Sequence, residues 1–197
     1  MSTAEPGTLT PTSVLRERAR QGVEEGPVTS NYALDPHKVV SLLNAALATE
    51  LVCVLRYRRH YYMAKGIKAR FPAEEFLEHA IEEQGHADRL AERIVQLGGE
   101  PDFNPDTLSA RSHAQYHDGT ALVDMITEDL IAERIAIESY RELAQFLGDK
   151  DPTTRRLIEE ILASEEEHAD DLLDLLEGDP AAPKGVLAAA HASSGTH

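Results

Sequence analysis

Two short acidic stretches, EEQGHAD at residues 82–88 and EEEHADD at residues 165–171, decide how the fold of this chain is interpreted. Each contains a glutamate that is followed three residues later by a histidine. On an α-helix, residues three apart lie on one face, with their Cβ atoms about 5 to 6 Å apart. Each pair can therefore converge on one cation if its stretch is helical. The two pairs are Glu83 with His86, and Glu165 with His168.

The segments that precede these stretches are also related to each other. In ATELVCVLRY, Tyr57 follows Glu50 by seven residues, and in IAERIAIESY, Tyr140 follows Glu133 by the same interval. Glu83 follows Glu50 by 33 residues, and Glu165 follows Glu133 by 32 residues. Both halves of the chain therefore follow one plan, which predicts a duplicated helix pair related by a near-two-fold axis.

Proline, glycine and capping signals divide the middle of the chain into four long helices. The predicted bounds are residues 35–66, 72–98, 118–148 and 152–178. Counting along each helix in steps of three and four gives an inward apolar row with one glutamate near its middle. These central glutamates are Glu50, Glu83, Glu133 and Glu165.

The connections between the helices predict the topology. The first and last links are short, whereas residues 100–117 form a long link that spans about 45 Å if mostly extended. This pattern is typical of an all-α, antiparallel four-helix bundle with a long crossover between helices two and three. We therefore expect an N-terminal extension at residues 1–34, a bundle at residues 35–178 and a short C-terminal tail at residues 179–197. The extension is expected to pack on neighbouring subunits.

Four carboxylates at one level of a core predict bound cations. One such glutamate would be an ordinary core acid, but four would repel one another and would be costly to bury without positive charge between them. Four carboxylates with two neutral imidazoles balance two divalent cations, and these ligand types suit iron(II) or manganese(II). The candidate ligands are Glu50, Glu83, His86, Glu133, Glu165 and His168.

The composition narrows the classes of function. A net charge of −16 disfavours binding to nucleic acid and to anionic membranes. Cys53 is the only cysteine, so an internal disulfide and a site with several thiolates are excluded. We expect Cys53 to pack as a small apolar residue. No signal-peptide pattern and no apolar run of about 20 residues is evident, which predicts a cytoplasmic protein.

The residues around these candidate ligands resemble the ferritin-like superfamily, and within it the bacterioferritins and the Dps-like ferritins. The resemblance covers residues 36–177 and is carried by LATELVCVLRYRRHYYM, EEQGHADRLAERIVQLGGEP, EDLIAERIAIESYREL and ILASEEEHADDLLDLLE. It implies terminal carboxylate ligands at Glu50 and Glu133, bridging carboxylates at Glu83 and Glu165, and nitrogen ligands at His86 and His168.

The resemblance also implies a function. It predicts a ferroxidase that oxidises Fe(II) to Fe(III) with dioxygen or hydrogen peroxide at two iron ions per subunit, with manganese as the other cation that fits. The mineral would be stored in a homo-oligomeric shell of twelve or twenty-four subunits. Tyr57 matches a tyrosine beside the metal site of the family. Gln84 stands where bacterioferritins carry a haem-binding methionine, which argues against haem. For His60, positions beside the site and at the surface both stay open.

Two other functions stay open at this point. A di-iron or di-manganese oxidoreductase that stores nothing, such as a peroxidase, a catalase or a hydroxylase, would use the same ligands. DNA protection is disfavoured by the net charge, and its basic candidates are RERAR at residues 16–20 and RYRRH at residues 56–60. The second of these is expected to be a salt-bridged helix face. The remaining histidines are expected to be exposed: His37, His79, His113, His117, His191 and His197.

Overall fold

The computed structural model describes residues 9–177, and every regular element in that range is helical. The range contains four long and two short α-helices, and two of the connections between them include a short 3₁₀ helix. The all-α prediction is therefore confirmed. The helices are α1 (Thr12–Gln21), α2 (Pro36–Met63), α3 (Arg70–Gln96), α4 (Leu108–Arg111), α5 (Leu122–Leu147) and α6 (Pro152–Leu176).

The four long helices form a bundle built from two helix pairs. α2 packs mainly against α3, and α5 packs mainly against α6, while contacts between α2 and α5 and between α3 and α6 join the pairs. The predicted four-helix bundle with a long second connection is thus confirmed. The crossover between α3 and α5 includes the short α4, which packs beside α2. Asn44 fixes the start of this crossover, because its side chain bonds to the backbone of Glu100 and Asp102.

Local capping explains where two of the long helices begin. Asp35 accepts a hydrogen bond from the backbone N–H of His37 at 3.0 Å, and Asp151 accepts one from Thr154 at 2.9 Å. In both cases a proline occupies the first helical position, where its missing N–H costs no hydrogen bond. Helix α3 begins two residues before Pro72 rather than at it, since the first turn of a helix tolerates proline.

The buried apolar residues form two clusters that are separated along the bundle. The first contains Leu47 of α2 and Ile161 of α6, and the second contains Cys53 of α2 and Leu172 of α6. Cys53 is thus packed in the core as predicted. Between the clusters, each long helix contributes a charged residue to one polar layer. The fold therefore places that layer in the middle of the bundle, with apolar packing on both sides.

The segment before α2 packs only partly on the bundle. α1 contributes no buried residue. Val28, Tyr32 and Leu34 pack against the first apolar cluster, and the Tyr32 hydroxyl donates to Asp151 at 2.7 Å. The division into an extension, a bundle and a tail stays a prediction, and the tail at residues 179–197 lies outside the described residues.

Within the described range, α2 alone is long and apolar enough to cross a membrane. Its most apolar stretch of 18 residues has a mean hydropathy of 1.7, and 56% of that stretch is buried inside the protein. Any 18 consecutive residues of α2 include Glu50, so this stretch is not the uninterrupted apolar run whose absence was noted in the sequence. A core helix can pass the same test. α2 does so because it packs against α3, α4 and α5 and needs apolar residues on the faces that it buries.

Candidate metal centre

The polar layer between the two apolar clusters brings the six predicted ligand residues together. Each long helix contributes one glutamate, and none of the four has more than 1% of its surface exposed. The two histidines are buried as well, one turn further along α3 and α6. The six residues are Glu50 on α2, Glu83 and His86 on α3, Glu133 on α5, and Glu165 and His168 on α6.

These residues form two groups of four potential ligands that overlap. Within each group, one nitrogen or oxygen atom per residue lies within 4.8 Å of the others. Glu83 and Glu165 belong to both groups. The first group adds Glu50 and His86, and the second adds Glu133 and His168. The arrangement can therefore hold two cations that share two carboxylates.

The two oxygens of each shared carboxylate face different histidines. His86 Nδ1 lies 3.3 Å from Glu83 Oε2 and 3.1 Å from Glu165 Oε1. His168 Nδ1 lies 3.6 Å from Glu83 Oε1 and 3.4 Å from Glu165 Oε2. Glu50 Oε2 completes the first group at 3.2 Å from His86 Nδ1. A carboxylate with one oxygen toward each of two nitrogen ligands has the orientation needed to bridge two ions.

Several atoms of this cluster lack a hydrogen-bond partner, which fits bound cations. Among the described residues, seven buried side-chain nitrogen or oxygen atoms have no partner, and five of them belong to this cluster. Such atoms are rare in proteins because an unsatisfied buried polar group costs free energy. Divalent cations would satisfy all five. They are Glu83 Oε1, Glu133 Oε2, both oxygens of Glu165 and His168 Nδ1.

Two tyrosines connect the halves of the cluster crosswise. The Tyr57 hydroxyl of α2 donates to Glu133 of α5, and the Tyr140 hydroxyl of α5 donates to Glu50 of α2. Each tyrosine therefore leaves one oxygen of its glutamate free to face the centre. Tyr57 was expected beside the site, whereas Tyr140 was not singled out as a site residue. The equal interval of seven residues in both halves was the signal that could have identified Tyr140.

Without cations, protons balance part of the negative charge. Burial, together with the nearby carboxylates of Glu83 and Glu165, raises the pKa of Glu50 and of Glu133 well above the usual range. Burial opposes charge on His86, but the adjacent carboxylates of Glu165 and Glu83 prevail and raise its pKa to about 10. The same balance raises the pKa of His168 to about 12. Cations that enter the cluster must therefore displace protons.

Glu82 orients one of the histidines from outside the cluster. Its Oε2 lies 2.6 Å from Nε2 of His168, and its side chain is about half exposed. Because Nε2 donates to this carboxylate, the ring turns Nδ1 toward Glu83 and Glu165. Carboxylates commonly fix metal-binding histidines in this way. The sequence reasoning missed Glu82, which precedes Glu83 in EEQGHAD.

Three neighbouring residues are buried, and for one of them, His79, this corrects an expectation. His79 is buried rather than exposed, because its ring stacks on His168 with the centroids 4.1 Å apart. Burial and the adjacent His168 lower the pKa of His79 to about 4. His60 is fully buried but belongs to neither ligand group, since its Nδ1 bonds to Asp129 at 2.6 Å. Arg56 is buried too, and its ion pair with Asp129 agrees with the salt-bridged helix face that was predicted.

The other histidines differ in their surroundings. His37 and His113 are exposed, as predicted, and His117 is partly buried. The predictions for His191 and His197 concern positions outside the described residues. The missed partner of His60 and Arg56 is Asp129 of α5, and its spacing of three residues from Ile126 and four from Glu133 was the signal that could have placed it on the inward face.

Comparison with known proteins identifies the family. Residues 40–181 match the family model described as the ferritin-like domain. The chain belongs to the ferritin-like family. This ferritin-like chain is 37% identical over 145 residues to the bacterioferritin of Brucella melitensis, covering 71% of the chain and 84% of the relative. It is 31% identical over 177 residues to the DNA protection during starvation protein of Halobacterium salinarum, covering 86% and 96%.

Solved structures agree with this assignment. The dodecameric thioferritin of Bacteroides fragilis, a bacterioferritin-related protein, superimposes with a TM-score of 0.70 at 33% identity, covering 83% of this chain and 94% of that one. The bacterioferritin of Desulfovibrio desulfuricans, which has a diiron site, superimposes with a TM-score of 0.63 at 28% identity, covering 71% and 78%. The predicted resemblance to bacterioferritins and Dps-like ferritins is confirmed.

Proposed function

We propose that this ferritin-like protein is a ferroxidase that oxidises Fe(II) to Fe(III) and stores the product in a homo-oligomeric shell. The observation that carries the proposal is the pair of overlapping ligand groups that share Glu83 and Glu165. A redox reaction that moves two electrons needs two Fe(II) ions close together. Shared carboxylates would hold them at that separation, which is about 3.5–4 Å in two-metal sites.

The orientation of each side chain supports the proposed ligand roles. Glu83 and Glu165 are proposed to bridge the ions, because each directs one oxygen toward each histidine. Glu50 with His86, and Glu133 with His168, would each complete the coordination of one ion. This set of oxygen and imidazole donors suits iron(II) and manganese(II) better than a thiolate-preferring metal.

The surrounding residues would prepare the site for its substrate. The hydrogen bonds from Tyr140 and Tyr57 restrain Glu50 and Glu133, and Glu82 restrains His168. When Fe(II) enters, the proton held at Nδ1 of each histidine must leave before the nitrogen can bind the ion. Each pair of Fe(II) ions then supplies two electrons, which with two protons reduce dioxygen to hydrogen peroxide or hydrogen peroxide to two waters.

We further propose a shell of twelve subunits in the cytoplasm. The support is the dodecameric Bacteroides fragilis protein, because this chain covers 94% of it at 33% identity. The Dps protein of Thermosynechococcus elongatus has the same fold, with a TM-score of 0.69 at 22% identity. The acidic net charge of −16 favours uptake of cations into such an assembly.

We propose that this protein works without haem. Gln84, which follows the first proposed bridging ligand, uses its amide to donate to Asp88 at 2.9 Å. An amide lacks the thioether sulfur that a methionine would offer to haem iron. The expected result for protein purified after expression with added haem precursor is a spectrum without a Soret band. A haem spectrum in stoichiometric amount would contradict this part of the proposal.

The proposed function is tested by size and iron content measured on one sample. Fe(II) is added to the protein in air, and size-exclusion chromatography with light scattering is combined with iron analysis across the peak. A dodecamer that holds far more than two irons per subunit would support storage by a shell. A dimer or monomer that stops at about two metals per chain would contradict it and indicate an oxidoreductase that stores nothing.

A pair of matched variants separates the centre from the shell in this test. Glu165→Gln removes one charge from the proposed bridging position, and Glu166→Gln makes the same change at the next, exposed position. We expect Glu165→Gln to assemble normally but to oxidise Fe(II) at least 100-fold more slowly, about 2.7 kcal/mol in barrier height. Glu166→Gln should behave as the unmodified protein. Equal rates for both variants would refute the assignment of Glu165.

A further inference from the structure

A second cluster of metal-ligand residue types lies beside the candidate metal centre. Glu75 and His79 of α3 and Asp171 of α6 place one ligand atom each within 4.8 Å of the others. None of the three belongs to the two ligand groups described above. Asp171 is about half exposed and Glu75 is partly exposed, so this cluster opens to solvent, whereas the candidate centre is buried.

The imidazole of His79 is held in place by aromatic contacts on two sides. Its ring stacks on His168 at a centroid distance of 4.1 Å and an interplanar angle of 22°. Tyr57 meets it edge to face, with centroids 5.2 Å apart at an angle of 84°. Only 2% of the residue surface is exposed. The ring orientation is therefore fixed before any ligand arrives, which lowers the entropic cost of binding.

The nitrogens of His79 are not satisfied by the protein. Nε2 lies 3.5 Å from Asp171 Oδ2 and 3.9 Å from Glu75 Oε2, which is too long for good hydrogen bonds. Nδ1 is buried without a partner. The nitrogen available for a further ligand between the two carboxylates is therefore Nε2, which faces both of them.

The spacing of the three donors suits a cation between them. Two ligand atoms that each lie about 2.1 Å from one tetrahedral ion are about 3.4 Å apart. The distance from His79 Nε2 to Asp171 Oδ2 is 3.5 Å, and the distance from His168 Nδ1 to Glu165 Oε2 in the candidate centre is 3.4 Å. The His79–Asp171 pair thus has the donor spacing of the candidate centre, and Glu75 Oε2 lies slightly farther away, at 3.9 Å from the same nitrogen.

We propose that Glu75, His79 and Asp171 form a third divalent-cation site, separate from the dinuclear centre. Two carboxylates neutralise the charge of one divalent ion, and the neutral imidazole adds a nitrogen ligand. Water completes the coordination from the exposed side of Asp171. This donor set selects first-row divalent metals such as iron(II), manganese(II) and zinc(II) over calcium and magnesium. The site does not depend on the dinuclear centre being a ferroxidase.

The test counts zinc ions on the intact, assembled protein, because zinc binds without redox chemistry. Equilibrium dialysis at micromolar Zn²⁺ should give three ions per subunit for the unmodified chain. His79→Phe retains a ring on His168 but removes the nitrogens, and Asp171→Asn removes an exposed charge. We expect two ions per subunit for both variants. Asp170→Asn, the same change at the neighbouring exposed position, should still bind three.

A complementary variant keeps failure of this proposal distinct from failure of the ferroxidase proposal. Glu83→Ala combined with Glu165→Ala removes the shared carboxylates and should leave one ion per subunit. In zinc-soaked crystals that ion should give an anomalous peak within bonding distance of His79 Nε2. Two ions in the unmodified protein, or three in both His79→Phe and Asp171→Asn, would overturn the third site. No ion at the dinuclear centre, with one retained at His79, would overturn only the dinuclear assignment.

Discussion

Two of the buried polar clusters in this bundle differ in whether the protein satisfies them. In the network of Arg56, His60 and Asp129, both oxygens of Asp129 have partners, at 3.1 Å to Arg56 and 2.6 Å to His60. The other nitrogen of His60 bonds to the backbone oxygen of His117 at 3.1 Å. Within this network the Nε of Arg56 is the atom without a partner.

The cluster of four glutamates and two histidines is the opposite case. Five of its buried atoms have no partner, and both oxygens of Glu165 are among them. The first network joins the crossover to α2 and α5 and satisfies its buried atoms within the chain, except for Nε of Arg56. The second is incomplete without a ligand. We infer that several unsatisfied donors and acceptors, rather than buried charge alone, distinguish a binding site from a structural ion pair.

The largest effect on stability is expected from the satisfied network. Asp129→Ala leaves Arg56 and His60 buried without their counter-charge, which should lower the free energy of unfolding by about 3–5 kcal/mol. Urea unfolding monitored by circular dichroism measures this change. Glu138→Ala, an exposed acid on the same helix, is the control and should change stability by less than about 0.5 kcal/mol. A loss below about 1 kcal/mol for Asp129→Ala would show that the network is not structural.

The orientation of His168 provides the second prediction. Glu82→Ala removes the carboxylate that bonds to His168 Nε2, so the ring should lose its fixed direction. We expect cation affinity at the dinuclear centre to fall about 10–100-fold, as for other carboxylates behind metal-binding histidines. Calorimetric titration with Zn²⁺ measures it. The control is Glu78→Ala, which removes an exposed acid one turn before Glu82 on α3. Equal affinities for the two variants would contradict the role of Glu82.

The third prediction concerns pH and the cation-free protein. His86 and His168 have folded-state pKa values raised to about 10 and about 12, so their stabilising contribution is complete below about pH 6.5 and is lost as pH rises. The pKa values of Glu50 and Glu133 are also raised, so their contribution to stability is likewise lost as the pH rises above the ordinary pKa of a glutamate. Stability of the chelated protein should therefore fall between pH 6.5 and pH 10, by at least about 1.4 kcal/mol.

The cation-loaded protein should show the opposite trend over this pH range. Metal ions compete with protons for the same nitrogens and oxygens, so removal of protons strengthens binding. Thermal unfolding of chelated and Zn²⁺-loaded samples across the range measures both trends. Parallel curves for the two samples would mean that cations do not bind at the protonated cluster.

The smallest effect is expected from the tyrosines. Tyr140→Phe removes one hydrogen bond to Glu50 and leaves the ring in place, so we expect about a threefold to tenfold slower Fe(II) oxidation, about 0.7–1.4 kcal/mol. Tyr57→Phe is the matched change in the other half, where the hydroxyl donates to Glu133. Similar losses would support equivalent halves. A complete loss with Tyr57→Phe alone would indicate that Tyr57 takes part in the chemistry and not only in positioning.

The features that the sequence predicted correctly were those that depend on residue spacing along a single helix. The all-α bundle followed from four periodic segments, and residues such as Glu83 and His86 were found because three-residue spacing places them on one face. Contacts between distant segments were harder to predict. Tyr140 and Glu50 lie 90 residues apart, so their hydrogen bond depends on how α2 and α5 pack.

Polar and charged residues other than the six candidate ligands were the main source of error. Arg56 was expected on a salt-bridged helix face, but its partner Asp129 was not predicted, although Asp129 lies three residues after Ile126 and four before Glu133. His79 was grouped with exposed histidines although it lies one turn before Glu83 on the inward face. In each case the partner that permits burial comes from another helix, and sequence alone does not show such partners.

The central claim is that the unsatisfied atoms of the polar layer are ligand atoms for two cations. The most direct measurement is a crystal structure of the assembled protein soaked with Fe(II) under anaerobic conditions, with anomalous scattering recorded at the iron edge. We expect two peaks about 3.5–4 Å apart between Glu83 and Glu165, one near His86 and one near His168. An empty layer, or a single ion that leaves the oxygens of Glu165 without a partner, would contradict it.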